Sequence, residues 1–215
     1  MITSRSQIRL LGSKRITWIF DFDNTIFDSG KVIFPRINER MTRYIERNLE
    51  VSASQADTLR SIYWRKYGAT LLGLIKHHGV DPVDFLNETH DLRDFRDAVP
   101  RSAKLIQFFS KLKGKTYVFS NSPSHYLNEM LSMLGISKLV DGTFSIESTG
   151  FNPKPSPIAY LKLLAKYSLK ASSCIMVEDS LDNLRTAKKL GMSTILVSDS
   201  LKTLNWVDGR VRRVC

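Results

Sequence analysis

The sequence predicts an α/β protein, a parallel sheet covered by helices on both faces, with an all-helical segment inserted after the first strand. Three observations carry this. Ile16-Thr17-Trp18-Ile19-Phe20 is a run of β-formers without strict alternation, the pattern of a strand buried on both sides. From residue 32 to residue 96 apolar residues recur at helical spacing, with no strand-like alternation. From Thr116 onward strands and helices alternate without a break, which calls for crossover helices on a parallel sheet.

Length and composition bound the rest. The 215 residues, 42% hydrophobic and 25% charged, suit one sizeable soluble core plus an insertion. No apolar run approaches the roughly 20 residues needed to cross a bilayer, so no membrane role is expected. Cys174 and Cys215 lie far apart, which excludes a disulfide framework or a cysteine zinc site and suits a reduced, cytoplasmic setting. The formal charge of +11 fits attraction of a polyanionic small substrate. Basic residues are scattered rather than blocked, which disfavours nucleic acid as the main partner. Residues 1–14 read as a flexible basic tail, without the apolar centre of a secretory signal. Residues 208–215 read as a basic C-terminal tail.

The core is expected over 15–31 and 97–207, and the helical cap over 32–96. In the cap, Pro35 can open a helix carrying Ile37, Met41, Tyr44, Ile45 and Leu49. Ser54 with Asp57 offers an N-cap and a capping-box-like partner for the next helix. Leu71 to His78 forms another, closed by Gly79, and Asp81-Pro82 starts a further one. A block this long exceeds a crossover of about a dozen residues, so it reads as a cap over the functional face. In the core, Pro100-Arg101-Ser102 begins a helix, and Thr116-Tyr117-Val118-Phe119 is a strand. Ser122 is expected to cap the following helix, with Pro123 at its first position. A strand delivering Ser120-Asn121-Ser122 onto that helix N-terminus would suit an anion. Thr143 to Ile146 is a short extended piece, Ser173 to Val177 a buried strand, and Thr194 to Val197 the last strand.

Chemistry gathers at the strand ends. The first strand stops at Asp21 and Asp23, and side chains two apart on an extended chain point the same way. Two carboxylates that close are stable mainly beside a cation. The strand at Ser173 to Val177 also ends in acids, Glu178 and Asp179, with Asp182 and Asn183 further on. Between them, Asn152-Pro153-Lys154-Pro155 presents one lysine from a backbone stiffened by prolines. In open α/β sheets ligands bind beyond the carboxyl ends of the strands.

In this order, Asp-x-Asp-x-Thr, Ser-Asn, Lys and Glu-Asp resemble the four motifs of the haloacid-dehalogenase-like (HAD) hydrolase superfamily, over Thr17 to Val197. The resemblance implies a Rossmann-like core and a magnesium-dependent phosphomonoester hydrolase working through an aspartyl-phosphate. Asp21 would be the nucleophile and Asp23 the acid and base. Ser120, the Asn121 backbone and Lys154 would hold the phosphoryl oxygens, with Lys154 neutralising charge during transfer. Magnesium would be held by Asp21, the Asp23 backbone carbonyl and Asp179, with Glu178 as a further or water-mediated ligand. Asp182 and Asn183 are not counted as ligands. The presence of Asp23 argues against carbon-halogen cleavage, which has no alkoxide to protonate.

Tyr67-Gly68-Ala69-Thr70-Leu71-Leu72-Gly73-Leu74, with His78 and Asp81, is similar to the cap of the pyrimidine 5′-nucleotidase branch. That implies a nucleoside monophosphate as the small phosphorylated metabolite. Against it, Gly68 and Gly73 also suit close helix packing, and His78 suits a helix C-terminus. A sugar-phosphate phosphatase or phosphomutase is the alternative, and a basic nucleic-acid-binding protein on the same fold is a distant one.

Overall fold

The computed structural model describes residues 16–93, 95, 99–200 and 204–215. The tail expected over 1–14 lies outside them. Six strands form one parallel sheet: β1 (Thr17–Phe20), β2 (Lys115–Phe119), β3 (Gly142–Phe144), β4 (Cys174–Glu178), β5 (Ser193–Val197) and β6 (Gly209–Val211), in spatial order β3-β2-β1-β4-β5-β6. The chain walks outward from β1 to β3, then crosses back to β4 and walks the other way. The reversal falls between β1 and β4, and the usual place for a ligand in such sheets is beyond the carboxyl ends of the strands at that point.

Both faces of the sheet are covered, which is why β1 is buried along its whole length. Trp18, Phe20, Val118, Ile175 and Val177 face one cluster, which includes Leu105 and Phe109 of α6 (Ala103–Lys111) and Leu127 and Met130 of α7 (Ser124–Leu134). Ile19, Phe119 and Met176 face the other, with Ala159, Tyr160 and Leu163 of α8 (Pro157–Lys166) and Leu184 and Ala187 of α9 (Leu181–Lys189). Period-2 alternation thus sorts one strand between two cores.

Between β1 and α6 the described residues form five α-helices: α1 (Ser29–Val32), α2 (Phe34–Leu49), α3 (Ala53–Tyr67), α4 (Thr70–His78) and α5 (Pro82–Thr89). The last four build a separate cluster around Tyr44, Ile45, Tyr63, Leu74 and Phe85, joined from the core by Ile146. The start of α2 packs its Ile37 into the sheet cluster instead. One amphipathic helix therefore ties cap to core. Asp81 caps α5 by accepting from the N–H groups of Val83 and Asp84 at 2.8 Å, as its position before Pro82 suggests.

Three local expectations are corrected. The capping box of α3 is Ser52 with Gln55, not Ser54 with Asp57; Ser54 lies inside the first turn, where Thr58 donates to its carbonyl. Ser122 does not cap α7, which starts at Ser124 and whose first N–H goes to the Glu147 carboxylate at 3.0 Å. The segment 208–215 is no tail, and β5 is not the last strand. β6 pairs in parallel with β5, and Val214 is buried in the main core. Gly209-Arg210-Val211 is too short to show a period, and its exposed arginine sits on a sheet edge, where charge discourages further pairing.

Gly73 lets α4 press on α3: a methyl there would lie 2.2 Å from the Tyr63 ring. Overpacking of this kind costs about 1–3 kcal/mol, which in a chain of this size lowers Tm by several degrees. Gly73→Ala is expected to show that loss in a thermal melt followed by circular dichroism. An unchanged Tm would mean that the two helices are free to separate.

Candidate active site

The register of the sheet builds the site. Phe20 pairs with Val177, and the next N–H, of Asp21, donates to the Val177 carbonyl at 2.9 Å. Asp21 and Glu178 are therefore the next residues out on adjacent strands. Asp179 follows, and carboxylate oxygens of Asp21, Glu178 and Asp179 lie within 4.8 Å of one another.

Lys154 reaches this cluster from the loop before α8. Its ammonium is 2.6 Å from Asp21 Oδ1 and 2.8 Å from Glu178 Oε2, and donates to the Phe119 carbonyl at 2.9 Å. An ammonium has three N–H groups, and here all three are used. The side chain is 1% exposed, so this is a buried ion triad rather than a surface pair. Asn121 fixes the loop. Its side-chain oxygen accepts from the Lys154 N–H at 2.8 Å, and its side-chain nitrogen donates to the Lys154 carbonyl at 3.0 Å.

The electrostatics follow. Burial pushes Asp21 up to about 7, with repulsion from Glu178 adding and attraction to Lys154 subtracting. Burial likewise pushes Glu178 up to about 7, against the pull of Lys154, and raises Asp179, helped by the charge on Asp21. Burial opposes the charge on Lys154, but Asp21 and Glu178 outweigh it and its pKa is raised.

Asp23 has a different environment. Asn24 takes a left-handed φ of 61°, which asparagine tolerates, and its side-chain oxygen accepts from the Gly30 N–H at 2.8 Å. The chain turns there, and the Asp23 carboxylate accepts from hydroxyls. Oδ1 takes Ser29 at 2.6 Å and Tyr126 at 2.8 Å; Oδ2 takes Ser122 at 2.7 Å, with Ser120 at 3.4 Å.

The residues predicted from the motifs thus form two linked groups. Asp21, Lys154, Glu178 and Asp179 make the ionic centre, and Asp23 and Ser120 stand beside it. Asn121 reaches the centre through its side chain, which grips the lysine loop. Glu178 belongs to the cluster but gives Oε2 to Lys154. Asp182 pairs with Arg185, and the Asn183 carbonyl accepts from Tyr160. The α7 N-terminus expected to meet an anion already has one, Glu147, whose pKa is lowered because hydrogen bonds from Ser145 and Ser124 outweigh burial. Tyr126, Ser122 and Ser29 were not foreseen. The hydroxyl of Tyr126, the third residue of α7, carries no signal until its distant partner is known.

Four carboxylates against one ammonium leave this pocket with excess negative charge. All the spare donors are oxygens, the ligand set of a hard divalent cation. Asp21 Oδ2 and the Asp179 carboxylate, which the triad does not use, would hold it, with Glu178 in reach.

The cap borders this centre. Gly68, at φ 80°, ends α3 directly on the lysine loop: a Cβ there would lie 2.6 Å from the Lys154 carbonyl oxygen. Gly68 and Gly73 therefore do serve close packing. His78 ends α4 and meets the Tyr63 hydroxyl at 2.7 Å.

A doubly wound parallel sheet with acids on two neighbouring strand ends and a lysine drawn between them defines a hydrolase of the HAD type. The chain belongs to that family: the model of the haloacid dehalogenase-like hydrolases matches residues 17–191. It is similar to Phosphate metabolism protein 8 of Saccharomyces cerevisiae, at 24% identity over 85% of this chain and 61% of that protein, so it spans about three fifths of that relative. It is also 24% identical to Glyceraldehyde 3-phosphate phosphatase of Methanopyrus kandleri, over 83% of this chain and 82% of that one. Among solved structures, the HAD hydrolase YfnB of Bacillus subtilis, bound to magnesium, superposes with a TM-score of 0.56 at 20% identity, covering 94% of this chain and 96% of that one. At that identity the likeness establishes the fold. Among the described residues no helix is long and apolar enough to cross a membrane.

The raised carboxylates give a testable sign. Asp21 and Glu178, at about 7 when folded, hold protons that the unfolded chain releases near its ordinary carboxylate range. In protein stripped with EDTA, stability should therefore fall as pH rises from about 5 to 8. A divalent cation replaces those protons, so its stabilising effect should be larger at pH 8 than at pH 5. Melting curves with and without added magnesium measure this, and a metal effect independent of pH would refute the assignment of the cluster.

Proposed function

We propose that the protein is a magnesium-dependent phosphatase of small phosphorylated metabolites that works through a phosphorylated Asp21. The observation that carries the reading is the buried Asp21–Lys154–Glu178 triad at the sheet crevice, with Asp23 held beside it.

Lys154 grips Asp21 through Oδ1 and so sets the rotation of the carboxylate. An Asp21 oxygen attacks phosphorus, the bond to the substrate's alcohol oxygen breaks, and Asp23 gives that oxygen a proton. Asp23 then takes a proton from the water that attacks the phosphorus, releasing phosphate and restoring Asp21. Lys154 offsets the charge that builds between Asp21 and the phosphoryl group, and the Ser120 hydroxyl and Asn121 backbone N–H take phosphoryl oxygens in this reading. Bound magnesium would supply further charge neutralisation and orientation, through Asp21, Asp179 and the Asp23 carbonyl, with Glu178 as an outer partner. The cap over 32–96 keeps water from the crevice and meets the rest of the substrate.

Two substrate readings share this chemistry. A nucleoside monophosphate is favoured by the border of cap and core. Tyr67, next to Gly68 on the lysine loop, bonds His77 Nε2 at 2.6 Å and has the Lys66 and Lys76 ammoniums 5.2 and 5.1 Å from its ring centre. Such a rim suits an aromatic base carried by an anion. A sugar or triose phosphate is favoured by the name of the Methanopyrus relative.

Hydrolysis of p-nitrophenyl phosphate should require magnesium and fall about a thousandfold or more in Asp21→Asn. Retained activity in that variant would remove the nucleophile. Comparing kcat/KM for UMP, CMP, ribose 5-phosphate and glycerol phosphate decides the substrate. If UMP and CMP are no better than glycerol phosphate, the nucleotide reading is dropped.

A further inference from the structure

Asp23 is half-buried, and a carboxylate so placed needs no elaborate support, because water can solvate it. Instead three buried hydroxyls converge on it from three elements. Ser29 comes from α1 at the entrance to the cap, Ser122 from the loop after β2, and Tyr126 from α7. Their distances of 2.6, 2.7 and 2.8 Å are those of good hydroxyl–carboxylate hydrogen bonds.

Each hydroxyl has a single proton to give. Ser29 and Tyr126 both direct theirs to Oδ1, which fills that oxygen's accepting positions. A proton on the carboxyl group is then confined to Oδ2, the oxygen beside Ser120 and Ser122. Oδ2 can carry it and still accept from Ser122. Tyr126 is itself anchored by edge-on contacts with Phe22 at 6.0 Å and with His90 of the cap at 5.8 Å. Its ring position does not depend on its hydroxyl.

We propose that Ser122 and Tyr126, together with Ser29, are positioning residues that fix the rotation of Asp23 and make Oδ2 the oxygen that delivers the proton to the leaving group. This rests on the reading of Asp23 as proton donor. In the step concerned, the Asp21–phosphorus bond forms, the bond from phosphorus to the alcohol oxygen breaks, and the proton on Asp23 Oδ2 moves to that oxygen. A misrotated Asp23 would leave an alkoxide to depart unprotonated. That is severe for an alkyl phosphate and slight for p-nitrophenyl phosphate, whose leaving group is stable as an anion.

The test compares kcat/KM for glycerol phosphate and p-nitrophenyl phosphate in the magnesium-loaded full chain, because this parameter reports the steps up to release of the alcohol. Tyr126→Phe keeps the ring and its packing, and Ser122→Ala provides a second variant from a different element. Each is expected to lower kcat/KM for glycerol phosphate about tenfold or more while lowering that for p-nitrophenyl phosphate less than about threefold. A merely loosened fold would lower both alike, so an equal fall, or no fall with glycerol phosphate, overturns the proposal. Asp23→Asn separates the two levels. If it discriminates strongly between the substrates while the hydroxyl variants do not, only the positioning role fails. If Asp23→Asn does not discriminate either, the proton-donor reading is wrong and the positioning role falls with it.

Discussion

The ion triad of Asp21, Lys154 and Glu178 is the interaction on which the arrangement depends. Burying three charges carries a desolvation penalty of several kcal/mol for each ion. It is offset only if each charge finds a partner in good geometry, and the ammonium here has three. None of those partners is optional. Removing either carboxylate would leave one ammonium N–H without its acceptor beside the Phe119 ring, 5.0 Å from the nitrogen. Removing Lys154 would set two buried carboxylates against each other. The parallel register places the acids on neighbouring strands, and Asn121 holds the lysine loop by both its main-chain groups. Strand ends, loop and ammonium therefore stand as one unit.

The cap is fitted to that unit rather than attached at a distance. Gly68 rests on the lysine carbonyl, Ile146 of the core enters the cap cluster, and His90 packs edge-on against Tyr126, which in turn holds Asp23. Ser29, the first residue of α1, holds the same carboxylate from the linker side. A displacement of the cap would thus be felt first at the acid-base carboxylate and at the lysine loop. Both are groups whose alignment phosphoryl transfer is sensitive to.

Much of this could be read along the chain. Apolar runs that stop at acids marked β1 and β4, prolines around one lysine marked its loop, and the unbroken helical spacing marked the cap. These signals are local, and so sequence carries them. What could not be read is which groups meet. Lys154 is 133 positions from Asp21, and Tyr126 is 103 from Asp23. Ser122 illustrates the difficulty. A serine before proline is a good helix cap on local grounds, but its hydroxyl goes to a carboxylate 99 positions away, and the helix start is served by Glu147 instead. Asn121 looked like a backbone contact because nothing local shows that its side chain matches the main chain of a loop 33 positions on. β6 escaped for another reason: three residues are too few for a period, and pairing with β5 alone makes them a strand.

The separation of Asp21 from Asp23 shows how two residues of one type, two positions apart, come to differ in chemistry. An extended chain would point both the same way, and equal surroundings would leave them competing for the same proton and the same cation. What each meets breaks that equivalence: a buried ammonium for Asp21, and hydroxyls from three elements for Asp23. Asp21 stays on the strand, dry and bound to a fixed ammonium, where a proton is disfavoured once a cation is present and a nucleophilic oxygen is available. Asp23 sits among neutral hydroxyls, which orient it. Environments that push two carboxylates toward separate roles are how acid and base duties become assigned in enzymes. Here that assignment is made by the fixed ammonium beside the first acid and the neutral hydroxyls around the second.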